Sequence, residues 1–553
     1  MQNSIGRCHP KSATLTVSLP KGLLSMNRLP AINRNRLNIL LLLTVIWSLA
    51  GDLVCAEPGN TLAERIEALI GGQLYRVSHW GLLVVDLPTG ETVYQRDADK
   101  LFAPASVTKL FSVAAALDAL GADHRFETPL YARGEIDPKG RLQGDLVLVA
   151  NGDLSLGGRT DGDGRIAFTN TDHIYAGNGE SAEITSQNPL AGLDELARQV
   201  AAAGIDSVQG DVLIDDRLFD SAEGTGSGPS RLTPIMVNDN LFDFTIVPTE
   251  PEKPANVTWR PATIALQVDA QVGTVAADGP TQIAVASPAP GRVVLRGQIA
   301  AGRRPLVRIH AVEDPTSFAR TLLIESLVRA GVAVEASALG TNRRERLPPP
   351  GMYEHFRRVA LLTSPPFSES AKLVLKVSHN LHASTLPLLI AAKHGQRTLA
   401  EGLRRQHDFL ARAGVEVETI SFGGGAGGDA ADFVTPRATV QLLRSMANRP
   451  DFAAYENALP ILGQDGTLAR SVPADSPARG KVKAKTGTLF WGNKMNGGEL
   501  LTSKALAGYL TAKSGRKLAF AIFVNNVHTR SAADRDRVGQ ALGKVCEIAH
   551  EAL

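Results

Sequence analysis

The chain has 553 residues, which is too long for one compact hydrophobic core, so several domains are expected. Its apolar share of 44% and aromatic share of 5% are ordinary for a soluble globular protein. The net charge is +2, but residues 1–56 hold most of the positive excess and leave the remainder slightly acidic. This balance gives no reason to expect nucleic acid as a partner.

The first 56 residues have the pattern of a secretory signal. Basic side chains precede an apolar run over residues 39–50, which is too short for a comfortable membrane span. The small residues Val54 and Ala56 predict cleavage after Ala56, so the mature chain begins near Glu57. The sequence therefore predicts an exported protein, periplasmic or otherwise extracytoplasmic.

Three alternatives to this signal stay open. A start at Met26 gives a signal of more typical length, Cys55 invites lipidation despite a poor lipobox, and an uncleaved segment would be an anchor. Lipidation or an anchor would bring the protein into peripheral contact with a membrane. Cys546 is the one cysteine after the signal and has helical spacing to apolar neighbours, so a buried, inert thiol is expected.

The mature chain begins with a predicted hairpin and a helix. Two runs of strand-forming residues, 82–85 and 92–95, flank a Pro-Thr-Gly turn and predict a β-hairpin. A stretch rich in Ala and Leu over residues 104–120 predicts a helix. Ser106 then lies in the first turn of this helix, and Lys109 lies one turn later on the same face.

Residues 126–340 differ from what surrounds them. Short β-like runs alternate with turns rich in Gly, Asp and Pro, and a helix over 315–330 closes the segment. We predict one or two inserted β-rich domains here. They would interrupt a second domain made of residues 57–125 and 341–553.

From about residue 340 the pattern becomes helical and then strand-like. A helical stretch over 371–393 is followed by helices over 398–413 and 435–446. Three strands and a last helix end the chain, at residues 481–489, 505–512, 518–525 and 532–549. The N-terminal hairpin and these strands suggest one mixed sheet built from both chain ends.

Three short motifs carry the chemistry. They are Ser106-Val-Thr-Lys109, Ser378-His-Asn380 and Lys485-Thr-Gly487-Thr488. The first two are weak signals alone and the third is rarer, but the three in this order resemble the signature of penicillin-binding proteins and serine β-lactamases.

A serine hydroxyl needs a neighbouring base before it becomes a good nucleophile. Lys109 can serve Ser106 only if burial and nearby positive charge lower its pKa, and Lys485 could supply that charge. The backbone N–H groups of Ser106 and Thr488 could stabilise the tetrahedral oxyanion. Lys485, Thr486 and Thr488 together suit a substrate carboxylate.

Two other features favour structural interpretations. His379 and His382 are three residues apart, but no third metal ligand is evident, so neither metal nor cofactor is predicted. The glycine-rich stretch over 423–428 lacks the lysine of a phosphate-binding loop, so a mobile loop is expected.

The chain resembles the D-alanyl-D-alanine carboxypeptidase/endopeptidase family, the class C low-molecular-mass penicillin-binding proteins. Beyond the motifs, the resemblance rests on Gly152-Asp153, Asp465-Gly-Thr-Leu468 and Ala507-Gly-Tyr509 and on the long insertion after the first motif. It implies an α+β fold, a serine β-lactamase/transpeptidase-like domain of mixed α/β structure with an antiparallel sheet, interrupted by inserted β-rich domains.

The resemblance also implies roles for the motif residues. Ser106 would be the acylated nucleophile, with Lys109 as its base, and Ser378 would relay the proton to the leaving amine. Asn380 would bind the substrate backbone. The third motif, Lys485, Thr486, Gly487 and Thr488, would hold the terminal carboxylate and the oxyanion.

Three departures from the family pattern bear on substrate preference. Ser384 stands where an acidic residue is usual, and the glycine-rich stretch 423–428 replaces an Asp-Gly-Ser-Gly-Leu-like loop. Residues 490–503 look like an extra loop between two core strands. None of these departures removes a catalytic group.

The sequence thus predicts an exported serine DD-peptidase. It would cleave D-Ala-D-Ala termini, and D-Ala cross-links, of peptidoglycan stem peptides, and β-lactams would acylate it. A β-lactamase is the nearest enzyme alternative, but no group that would activate water for deacylation is evident. A non-catalytic peptidoglycan-binding or penicillin-sensing protein is the alternative from another class.

Overall fold

The computed structural model describes residues 61–177, 182–226 and 228–553. The predicted signal and its cleavage site lie outside these residues. No helix in the described part is long and apolar enough to cross a membrane.

A six-stranded antiparallel sheet, here the first sheet, is built from both ends of the described chain, as predicted. Its strands, in spatial order, are Val482–Gly492, Glu499–Thr511, Lys517–Asn525, His79–Asp86 and Thr92–Arg96, and Val527–Thr529 pairs with the second of them. The prediction of an extra loop over residues 490–503 is wrong. The two strands continue as a long hairpin that pairs Trp491 with Leu500, so only residues 493–498 form the turn.

The first sheet is apolar on both faces because helices cover both. Residues 82–85 show this in one strand, since successive side chains of a strand point to opposite faces. The even-numbered side chains pack with the terminal helices Leu62–Ile70 and Ala532–Ala552. The odd-numbered ones pack with helices that include Thr108–Leu120 and Asn380–Lys393. Continuous apolar strands are the sequence signature of such a buried sheet.

The helical layer over the second of these faces holds the first two motifs. Its helices are Thr108–Leu120, Phe367–Lys376, Asn380–Lys393, Leu399–Arg412, Pro436–Ala447 and Phe452–Asn457. The prediction of one continuous helical stretch over residues 371–393 is wrong, because two separate helices meet at the second motif. Ser378 adopts φ +63, a left-handed conformation that no α-helix can include, and this residue breaks the helix.

The inserted region is β-rich, as predicted. A second six-stranded sheet has the strands Ala333–Val334, Ser207–Val208, Arg141–Val149, Glu127–Ile136 and Arg357–Thr363, with Val212–Asp215 paired to the third. Two three-stranded sheets follow, of Gln282–Ala289, Arg292–Ala300 and Gln267–Val275, and of Leu306–Ala311, Leu241–Val247 and Asn256–Arg260. Helices Ala191–Ala202 and Pro315–Arg329 cover them.

The position of Arg357–Thr363 bears on the domain boundary. This strand pairs with Glu127–Ile136, the first strand of the inserted region. The boundary predicted at residue 340 therefore cuts through the second sheet, and the chain returns to the helical layer only at Phe367. The sequence did not reveal this because a strand of seven residues carries no mark of the sheet it joins.

Candidate active site

Ser106 lies on a strained turn at the rim of a cleft. The turn, Ala105–Val107, is a single 3₁₀ turn that runs into helix Thr108–Leu120. Ala105, the first residue of the turn, has φ +46. This value is uncommon for a residue with a side chain and persists only where the surroundings enforce it. Gly427 allows another backbone segment to pack directly on this turn, since a Cβ there would lie 1.9 Å from the carbonyl oxygen of Ala105.

The Lys109 amine lies under Ser106 and is fully buried. Its Nζ is 2.8 Å from Ser106 Oγ, 2.8 Å from Asn380 Oδ1 and 2.8 Å from the carbonyl oxygen of Ala426. The structure thus brings the predicted nucleophile, its predicted base and the predicted asparagine together around one nitrogen.

The electrostatics of this nitrogen make the neutral amine accessible near neutral pH. Burial lowers the pKa of Lys109 to about 7, and the carboxylate of Asp432 opposes this shift. A neutral amine has two N–H groups and one lone pair. The amide oxygen of Asn380 and the carbonyl of Ala426 can accept the two N–H bonds, so the lone pair is left for the hydroxyl proton of Ser106. The amine is therefore arranged to act as a general base.

Ser378 and Lys485 form a second serine–lysine pair. Lys485 is fully buried, and its Nζ donates to Ser378 Oγ over 2.9 Å and to the carbonyl of Thr486 over 2.7 Å. Burial, with the neighbouring Lys109, lowers the pKa of Lys485 well below its usual value. Ser378 can accordingly pass a proton along a short path that ends on a lysine.

The third motif lies on Val482–Gly492, an edge strand of the first sheet. Gly487 brings this strand against the nucleophile turn, because a Cβ at that position would lie 2.4 Å from the carbonyl oxygen of Pro104. The glycine of the motif is thus a requirement of close approach between two backbones.

The same strand points backbone donors away from the sheet. The N–H of Ala484 donates to the carbonyl of Pro460, outside the sheet. Because N–H directions alternate along a strand, those of Thr486 and Thr488 point to the same outer edge. This edge borders the cleft that Ser106 also lines.

The glycine-rich stretch 423–428 is not the mobile loop that was predicted. Its residues from 424 to 428 are buried, and its carbonyl groups accept hydrogen bonds from Lys109 and Ser112. The Asp432 carboxylate closes the loop by accepting from the N–H groups of Gly423 and Asp429. The loop therefore lies beneath the nucleophile, where it positions the base.

The inserted region contributes a residue that the sequence did not predict. Tyr175 lines the cleft, and its hydroxyl donates to the carbonyl oxygen of Ser378 over 2.6 Å. Burial raises the pKa of this phenol to about 12, so it remains a donor. This hydrogen bond fixes the backbone of Ser378, whose left-handed conformation separates helix Phe367–Lys376 from helix Asn380–Lys393.

A buried ionic cluster lies behind the second motif. Asp239 Oδ1 is 3.1 Å from Nε2 of His379 and 3.0 Å from Nε2 of His382, and Oδ2 is 2.6 Å from the guanidinium of Arg159. Asp239 is the third candidate metal ligand that the sequence did not reveal, since it lies in the inserted region.

This cluster suits hydrogen bonding better than metal coordination. The two imidazole rings are stacked, with centroids 3.7 Å apart and planes within 20° of each other. Ions bind imidazole nitrogen at about 2.0 Å near the ring plane, and no single point satisfies that for two stacked rings. Arg159 already balances the carboxylate, so a cation there would meet a like charge.

The antiparallel sheet, the covering helices and the three motifs that converge on one cleft define a class, the penicillin-binding, serine acyl-transferring enzymes. The model of the D-Ala-D-Ala carboxypeptidase 3 (S13) family matches residues 62–544, and the chain belongs to that family. It is accordingly a serine-type D-Ala-D-Ala carboxypeptidase, as the motifs predicted.

Individual relatives support this placement. A D-alanyl-D-alanine carboxypeptidase of an Actinomadura species is 29% identical over 491 residues, which cover 85% of this chain and 81% of that protein. The D-alanyl-D-alanine carboxypeptidase DacB of Haemophilus influenzae is 24% identical over 470 residues, 82% of this chain and 86% of that one.

The predicted fold class is confirmed by a solved structure. The crystal structure of penicillin binding protein 4 (dacB) from Haemophilus influenzae matches with a TM-score of 0.63 at 21% identity, over 87% of this chain and 98% of that one. A second crystal structure of that protein is a complex with a β-lactam.

Proposed function

We propose that this carboxypeptidase removes the terminal D-Ala of peptidoglycan stem peptides through an acyl-enzyme on Ser106. The observation that carries the proposal is the buried Lys109 amine, 2.8 Å from Ser106 Oγ, with two further acceptors that fix where its lone pair points.

The reaction follows from this geometry. Lys109 takes the proton as Ser106 Oγ attacks the carbonyl carbon of the penultimate D-Ala, and the N–H groups of Ser106 and Thr488 stabilise the oxyanion. The C–N bond then breaks, and the proton reaches the leaving amine through Ser378, beside Lys485. Water hydrolyses the acyl-enzyme and restores the free serine.

The remaining motif residues bind the substrate. Asn380 aligns the base and is proposed to bind the substrate backbone. The hydroxyls of Thr486 and Thr488 border the cleft where the terminal carboxylate would lie, while Gly487 keeps their strand against the nucleophile turn. No metal or cofactor takes part in the proposed mechanism.

The same site supports an endopeptidase reaction on D-Ala cross-links. The amine released from a cross-link carries its own carboxylate one atom from the scissile nitrogen, as free D-Ala does, so one carboxylate site serves both. The glycine-rich stretch offers no room for the larger leaving group, because residues 424–428 are buried beneath the nucleophile. The cleft continues instead past Thr488 to Gly539 and Gln540 of the terminal helix.

Several further proposals rest on the sequence. We propose that the protein is exported and acts outside the cytoplasm, that β-lactams acylate Ser106, and that peripheral membrane contact depends on the fate of the first 56 residues. We also propose that the catalytic domain comprises residues 57–125 and the chain from about 364 onward, with the inserted region between them. The end of strand Arg357–Thr363 supports this revised boundary.

Labelling with a fluorescent penicillin tests the site and separates the alternatives. The wild-type protein should form a stable adduct, Ser106→Ala should form none, and Ser514→Ala, on an exposed turn, should label normally. Rapid turnover would favour a β-lactamase, and the absence of any reaction would favour neither enzyme. Incubation with a pentapeptide and with purified sacculi, followed by chromatography, then reports carboxypeptidase and endopeptidase activity separately.

A further inference from the structure

One lysine in the cleft belongs to none of the motifs. Lys504 lies on Glu499–Thr511, the strand next to the third motif, in direct register with Thr488. Its Nζ donates to Thr488 Oγ1 over 3.0 Å, and both residues line the cleft together with Ser106.

The Lys504 ammonium has donors to spare. It has three N–H groups, and the hydroxyl of Thr488 accepts one of them. Over residues 61–177, 182–226 and 228–553, no carboxylate forms an ion pair with it. Asp536 and Arg535 of the terminal helix act on it from farther away with opposite signs, and Arg470 lines the same cleft. The group is half-buried and still cationic at neutral pH, because burial lowers its pKa only to about 8.

The terminal helix makes room for this side chain. A Cβ added to Gly539 would lie 3.0 Å from Lys504 Cε and 3.4 Å from its Nζ. Glycine inside a helix is less favourable than alanine, so its presence calls for a local reason. Because Gly539 has no side chain, the ammonium end of Lys504 can lie between the terminal helix and the third motif.

Lys485, the lysine of the third motif, is less accessible from the cleft than Lys504. Lys485 has no exposed surface, and its Nζ is committed to Ser378 Oγ and to the carbonyl of Thr486. A carboxylate that enters beside the threonine hydroxyls would therefore meet Lys504 as the accessible ammonium group.

We propose that Lys504, with the hydroxyl of Thr488, is the cationic binding site for the carboxylate of the leaving group. This inference rests on the proposed function and names a specificity-determining residue for it. The site selects leaving groups that carry a carboxylate close to the scissile nitrogen. Released D-Ala and the amine of a cross-link both meet that requirement.

Paired thioester substrates test the proposal. Both have the same D-alanyl acyl group, and the thiol leaving group ends either in a carboxylate or in the matching carboxamide. A thioester is reactive enough to keep the carboxamide measurable. The ratio of kcat/KM for the acid to that for the amide is the carboxylate preference, which a general loss of structure does not change.

The variants are Lys504→Ala, Lys504→Arg and Gly539→Ala, with Lys517→Ala as the matched control. Lys517 donates to Thr511 Oγ1 over 2.9 Å in the same sheet but away from the cleft. Lys504→Ala should reduce the carboxylate preference by about 10- to 100-fold, the usual effect of losing a hydrogen bond to a charged group. Lys504→Arg should restore most of it, and the Lys517 control should keep it.

Two further readouts separate binding from structure. Gly539→Ala should reduce the preference without lowering the melting temperature, because it displaces the lysine head yet favours the helix. In the wild type, the preference should fall as pH rises through about 8, where Lys504 loses its charge, and Lys504→Arg should keep it there.

An unchanged preference in Lys504→Ala overturns the proposal, and so does an equal loss on acid and amide. If the wild type hydrolyses neither thioester in a manner that depends on Ser106, the proposed function fails instead. The two failures are therefore distinguishable in one set of assays.

Discussion

Replacing Tyr175 by phenylalanine removes one oxygen from the site and leaves every predicted catalytic group in place. That oxygen donates to the carbonyl of Ser378, which has the left-handed conformation at φ +63. Such a conformation costs about 1–3 kcal/mol, and a hydrogen bond of this kind contributes about 0.5–1.5 kcal/mol against it. Since 1.36 kcal/mol is tenfold in rate, we expect acylation by penicillin to slow about two- to tenfold.

Stopped-flow fluorescence with a labelled penicillin measures this effect. The matched control is Tyr353→Phe, which removes a phenol that donates to Asp215 over 2.5 Å in the inserted region, away from the cleft. This control should change stability but not the acylation rate constant. Equal acylation rates for the wild type and Tyr175→Phe, or equal slowing in both variants, would refute the view that Tyr175 positions Ser378.

The remaining predictions concern the base and the loop beneath it. The acylation rate should rise with pH through about 7, because only the neutral Lys109 amine can accept the proton of Ser106; a flat pH–rate profile would contradict this. The Asp432 carboxylate raises the pKa of Lys109 in the wild type, so in Asp432→Asn that pKa should fall and the rise in rate should move to lower pH. An unchanged profile would show that the charge of Asp432 does not affect the base. Gly427→Ala should lower the free energy of unfolding by about 1–3 kcal/mol and impair acylation, because that position has φ +87 and a Cβ there would clash with the carbonyl of Ala105. Denaturant unfolding measures the change in stability, and an unchanged free energy would contradict the prediction.

The sequence predicted well the features whose cause is local. The strands of the first sheet, the helix that follows Ser106 and the last helix all follow from apolar runs, prolines and glycines within a few residues. The three motifs were informative because their spacing within each motif is fixed by one turn or one strand. The structure brings Ser106 and Lys109 together with Asn380, and Ser378 together with Lys485.

The features that the sequence did not reveal depend on contacts between distant segments. Tyr175 lies 203 positions from Ser378, and Asp239 lies 143 positions from His382. Asp432 looks like any acidic residue in a polar loop until its two backbone partners are known. No glycine or proline near Ser378 marks a break in the helical pattern, so only the requirement that its hydroxyl face Lys485 indicates that the helix must break there.

The first sheet joins the two ends of the described chain, and this decides when in its synthesis the protein can become active. Strand His79–Asp86 pairs with Lys517–Asn525, and Arg65 in the first helix forms an ion pair with Glu551 two residues from the last. A ribosome delivers the serine of the first motif hundreds of residues before the strand that carries the third. The growing chain therefore has a nucleophile without a working site until strands Val482–Gly492 and Lys517–Asn525 have been made and have joined the sheet.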